Sequence, residues 1–174
     1  MSNALDNFNK WFKNPLSLLY TNIDAGFIVV MISISLLERY LREKTGIYEN
    51  KLDHRFYDEF IKIFPSVKTI NDARIFWEVS RHGLLHQSTF KLGTRKGDII
   101  CTVGLHNDAN DILCDYKQKG IKIVIPPIKF SKIIISTIEN DFSNFKGKGS
   151  PLHPRSEVFN DWDLGYFGAS GVEK

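Results

Sequence analysis

Cysteine is scarce. Cys101 and Cys114 are the only two in 174 residues and stand in no CxxC spacing. That excludes a disulfide framework and makes a reducing compartment the simpler expectation. Long apolar runs are also missing: the longest, Ala25 to Leu37, has thirteen residues and is broken by Ser33 and Ser35. A bilayer span needs about 18, so this run reads as a core helix. The opening MSNALDNFNKWFKNP does not put a basic start, an apolar stretch and a small-residue cleavage site in order. The expectation is therefore a cytoplasmic protein with no membrane partner. No sign of charge dominates: 23 Lys and Arg face 20 Asp and Glu, a formal charge of +3, split 11 against 10 before residue 89 and 12 against 10 after it. No basic tail or acidic half announces a polyanion. GxGxxG, GxxxxGK[ST] and GxSxG are absent too, which removes the usual cues for dinucleotide binding, phosphate loops and serine hydrolases.

What is present is the balance of one globular domain, 43% hydrophobic and 25% charged, with enough apolar residues for a core. Residues 5–20 mix aromatics with Pro15 and predict one short helix or two broken pieces. From Asn22 or Asp24, either a credible cap, a central helix runs to a stop at Gly46. Its second half is amphipathic, with Glu38, Arg39, Arg42 and Glu43 as its polar residues. Residues 53–64 place Phe56, Phe60, Ile61 and Phe64 at helical spacing before Pro65, and another helix is predicted from Asn71 or Asp72 to about Gln87. The runs FKLGT, DIICTVG and KIVI then predict a small β-hairpin or short sheet within about 89–125. Pro127 suits the first turn of a last helix whose Ile-rich middle also fits a strand. The fold class expected is mainly α, a bundle of four to five helices with a β appendage, forming one domain over 1–145. Residues 146–174, rich in Gly, Pro and Ser, read as a tail that Phe159, Trp162, Tyr166 and Phe167 could dock.

One tight cluster of catalytic residue types exists: Arg81, His82 and His86 in SRHGLLHQ. At 100° per residue, Ile75, Val79, His82 and His86 fall within about 60° of one another, and Arg81 about 100° round from His82, beside Trp77. Histidines on an apolar stripe are ordinarily core residues bonded to a neighbouring helix. Their i, i+4 pairing, the adjoining arginine and the helix-weakening Gly83 favour a functional use.

Arg81-His82-Gly83-Leu84-Leu85-His86 resembles the signature of the HEPN superfamily, an arginine followed four to six residues later by a histidine near one end of a bundle helix. The long apolar helix before the motif and a helix closing the domain after it fit that superfamily, over roughly residues 22–145. The segment 89–125 departs from a minimal HEPN bundle. The resemblance implies metal-independent RNA cleavage by a homodimer whose two motifs face one another across a two-fold axis. It implies no cofactor and no metal, and the settings it suggests are toxin–antitoxin or anti-phage defence, with a cognate antitoxin or defence partner. The side chains suit that chemistry. His86 would serve as acid and base, Arg81 as phosphate clamp and His82 as positioner.

Lys91, Arg95 and Lys96 are candidates for RNA phosphate contacts, and Lys117, Lys119, Lys122, Lys129 and Lys132 form a stretch free of acids between Asp115 and Glu139. The plainer reading of all of them is solvated surface charge on a strand edge and a helix. Glu38 is a candidate to orient Arg81 or a histidine, or a surface charge. Two other functions compete. An inactive HEPN-like scaffold or partner-binding module would use the apolar stripe as an interface. A zinc-dependent hydrolase would use His82 and His86 with Glu78 one turn earlier and a third ligand from His54, His106 or Asp108, although HExxH is absent.

Overall fold

The computed structural model describes residues 4–48, 51–82, 100–117 and 120–146. The chain opens with α1 (Ala4–Phe8) and α2 (Asn14–Leu19), joined by a π turn over Asn9–Lys13. Pro15 causes the interruption, because it has no N–H and its ring presses on the carbonyl four residues back in a regular α-helix. The wider turn, in which the Asn14 N–H reaches the Asn9 carbonyl, absorbs the misfit.

A 3-10 turn over Ile23–Ala25 is capped by Asn22, whose side chain accepts the Asp24 N–H at 2.9 Å, and leads into α3 (Gly26–Thr45). Val29, Val30, Ile34, Leu37 and Leu41 are fully buried along it. Gly46 ends the helix in the left-handed conformation, φ 68°, so that its own N–H and that of Ile47 both reach the Arg42 carbonyl, at 2.8 and 3.2 Å. Next come α4 (His54–Ile63), capped by Asp53, and α5 (Ile70–Trp77). The cap of α5 is Thr69, two to three residues earlier than the sequence suggested: its side chain accepts the Asp72 N–H at 3.1 Å, while Asn71 accepts from Arg74 instead. Thr69 is extended, as an N-cap must be, whereas Asn71 and Asp72 are already helical.

The β segment is a three-stranded sheet of β1 (Ile100–Leu105), β2 (Leu113–Lys117) and β3 (Gly120–Ile125), in the order β1-β3-β2. β2 and β3 pair antiparallel, and β1 lies parallel to β3, with Val103 opposite Ile123. One face, with Val103, Leu105, Cys114, Ile123 and Ile125, joins the core. The sequence reading had no strand over 113–117, since LCDYK carries weak alternation and gains its identity by pairing with β3. The run FKLGT lies outside the described residues, as does the tail from 147.

The last described elements are α6 (Pro127–Asn140), with Pro127 in its first turn, and α7 (Phe142–Lys146). Ile134, Ile135 and Ile138 are buried, so the Ile-rich middle is helical. α3 packs along α6 and against α4. The fold is thus mainly α with a small sheet, and its described elements share one apolar core. Among the described residues no helix is long and apolar enough to cross a membrane.

A polar lock joins the end of α3 to the α6–α7 corner. Tyr40 donates to Asp141 at 2.9 Å, Lys44 donates to the Tyr40 hydroxyl at 2.8 Å and to Asp141 at 3.1 Å, and Asn144 donates to Asp141 at 2.8 Å. Partial burial pushes the Asp141 carboxyl up, but the donors Tyr40, Lys44 and Asn144 outweigh it and hold the group below the usual carboxylate value. A depressed folded value means this stabilisation is complete above the unfolded value, about 3.9, and is lost as pH falls through the folded one. Asp141→Asn should lower stability by about 1–2 kcal/mol at pH 7. Melting curves from pH 7 to 2 should show the gap from wild type closing below pH 4; a gap that persists at pH 2 contradicts the assignment.

Candidate functional site

Glu78–His82 form a π turn, wider than an α turn. Each residue in it advances by less than 100°, so the ideal α-helical projection does not hold through Glu78–His82. Val79 is buried and Ile75 half-buried, as the apolar stripe required. The turn has an internal cost. Ser33, Ser35, Thr45 and Thr137 each donate to the carbonyl four residues back. Ser80 is fully buried and its hydroxyl has no such partner.

What the turn achieves is the placement of Arg81 against α3. The Arg81 Nε–H is shared between both oxygens of Glu38, at 2.9 Å to Oε2 and 3.1 Å to Oε1. On the other side of that carboxylate, Arg42 donates from Nε to Oε1 at 2.8 Å. The three side chains are 13% (Glu38), 8% (Arg42) and 26% (Arg81) exposed, so the cluster sits in the wall of the bundle with Arg81 at its mouth. Two guanidinium charges face one carboxylate, which leaves the triad at +1. The Arg81 Nε is engaged, while its two Nη groups make no hydrogen bond among the described residues. Such an edge offers paired N–H donors to a phosphate or carboxylate in fork geometry.

Of the sequence candidates, the structure brings together Glu38 and Arg81. Glu78 is exposed at the start of the π turn, where its charge adds to burial in raising the Tyr57 hydroxyl above its ordinary value. His82 closes the π turn, and its side chain lies outside the described residues together with His86, Lys91, Arg95 and Lys96. Lys122, Lys129 and Lys132 are exposed, Lys132 with its ammonium 5.6 Å from the Tyr20 ring centre. His54 begins α4 and His106 follows β1, both exposed. Among the described residues no three His, Cys, Asp or Glu side chains converge.

Arg42 is the member that the sequence reading missed. It was placed on the polar face of the central helix, yet it is buried, because Glu38 one turn earlier neutralises it and the Ile47 carbonyl accepts its Nη1 at 3.1 Å. The signal was there: a Glu and an Arg at i, i+4, each directly preceded by a core leucine, Leu37 and Leu41. No family model, curated protein or solved structure matches this chain.

Proposed function

We propose that the protein is a HEPN-type endoribonuclease, metal-independent and homodimeric, that works in the cytoplasm and in a toxin–antitoxin or anti-phage setting. The observation that supports the reading is the +1 triad of Glu38, Arg42 and Arg81, with the Arg81 Nη edge, which makes no hydrogen bond among the described residues, at its mouth. In that reading the edge grips the scissile phosphate. His86 of one protomer takes the proton of the RNA 2′-hydroxyl, whose oxygen attacks phosphorus. The departing 5′-oxygen takes a proton from His86 of the second protomer, leaving a 2′,3′-cyclic phosphate and a 5′-hydroxyl. A two-fold dimer supplies both roles from one sequence, and Arg81 balances the charge that builds on the phosphorane. The attacking group belongs to the substrate, so DNA is not cut.

A second reading is an inactive scaffold. It is favoured by the engagement of the Arg81 Nε with Glu38, which by itself is a strut between α3 and the motif helix. The discriminating experiment incubates wild-type protein with single-stranded and structured RNAs and with DNA of the same sequences, with and without EDTA. The expected outcome is RNA cleavage to cyclic-phosphate ends, indifferent to EDTA and absent on DNA, by a dimer in light scattering. Cleavage abolished by EDTA and restored by zinc transfers the assignment to a metal hydrolase. A monomer inert on every RNA transfers it to the scaffold.

A further inference from the structure

We propose that Arg42, which never reaches a substrate, is a positioning residue for the clamp: by sharing the Glu38 carboxylate it leaves Arg81 with uncompensated positive charge at the mouth of the site. The inference rests on the ribonuclease reading above and assigns the feature of the fold that makes Arg81 an anion receptor instead of a neutralised strut.

The argument is one of charge and geometry. Glu38 carries a single negative charge, and its Oε1 accepts both from Arg42 at 2.8 Å and from Arg81 at 3.1 Å. With Arg81 alone the pair would be neutral and its field on an incoming phosphate would be that of a dipole. The second guanidinium restores a net +1. That charge is readable from one side only, since Arg42 is buried and tied to the Ile47 carbonyl, while Arg81 is 26% exposed with both Nη groups unbonded among the described residues. Arg42 owes its aim to the left-handed turn at Gly46, φ 68°, which carries Ile47 back over the last turn of α3. Gly46, Arg42, Glu38 and Arg81 therefore form one chain of contacts from a helix stop to the anion-facing edge.

The test measures equilibrium binding of a single-stranded 2′-O-methyl RNA, which lacks the attacking hydroxyl and so separates binding from cleavage, across a series of salt concentrations. Arg42→Gln should weaken binding about five- to tenfold, the effect of removing one charge some 8 Å from a phosphate in a partly solvated site. The slope of log affinity against log salt should fall by about 0.7. Glu38→Gln raises the triad to +2 and should bind more tightly than wild type. The double variant Glu38→Gln with Arg42→Gln returns the charge to +1 and should recover wild-type affinity, although both native contacts are gone. A purely structural Arg42 gives the opposite pattern: Glu38→Gln binds more weakly, and the double variant is no better than Arg42→Gln. Glu38→Gln and the double variant carry the test where Arg42→Gln does not fold. Wild type and Arg81→Ala binding equally would overturn the ribonuclease reading itself. Loss in Arg81→Ala without the charge pattern overturns only the role of Arg42.

Discussion

Replacing His86 by alanine is expected to lower RNA cleavage about 10²–10⁴-fold, the usual contribution of a positioned proton-transfer group near neutral pH. Imidazole, with an unperturbed value of about 6.5, is the one side chain of the motif able both to take and to return a proton in that range. Arg81→Ala should approach the same loss, because the phosphorane would lose its clamp and Glu38 would keep only Arg42. His82→Ala should cost less, as a positioning group. The two large losses should differ in kind: Arg81→Ala should weaken binding of the 2′-O-methyl RNA, while His86→Ala should leave it near wild type. In the ribonuclease reading the wild-type rate should rise and then fall with pH, since one histidine of the proposed dimer must be neutral and its counterpart protonated. Full activity in His86→Ala, or a rate that climbs without a maximum to pH 9, would remove His86 from the chemistry.

The largest expected effect on stability comes from a residue of the aromatic core. Phe60 is fully buried on α4, with ring centres 5.1 Å from Phe64, 5.1 Å from Phe76 and 6.2 Å from Trp77. Phe64 in turn stacks on Phe130 of α6 at 5.1 Å. The cluster ties α4, α5 and α6 together and so fixes the helix that carries Arg81. Phe60→Ala removes a ring from the middle of a packed set whose backbone cannot collapse to fill the space. The expected cost is about 3–5 kcal/mol, or about 10 °C or more in melting temperature for a domain of this size. Phe60→Leu, which keeps most of the volume, should cost less than half as much. Calorimetric melts of the two variants check this, and a change under 1 kcal/mol for the alanine would show that the ring cluster does not carry the fold. Because α5 hangs on these rings, Phe60→Ala should also lower binding at Arg81 in proportion to the unfolded fraction.

Much of the helical frame was legible from local chemistry. Asn22 caps because a short polar acceptor next to free N–H groups acts within a few residues, and Gly46 stops α3 because a left-handed residue is easy for glycine alone. The burial of Phe56 and Phe60 on α4, and of Ile135 and Ile138 on α6, followed from helical spacing. Arg81 and Glu38 could be named as candidates by residue type, but 43 positions separate them, and no periodicity says that α3 and the motif helix cross at that height. Their contact is made from the π turn at Glu78–His82, where the buried Ser80 hydroxyl has no hydrogen-bond partner among the described residues. β2 became a strand only by lying beside β3, and Arg42, read as a surface charge, went into the wall of the bundle because Glu38 and the Ile47 carbonyl met it there. Caps, stops and apolar stripes are decided by neighbours in sequence and so belonged to the sequence by itself. The sheet order, the π turn and the shared carboxylate are decided by groups distant along the chain, whose interaction energies exist only once the core has brought them together.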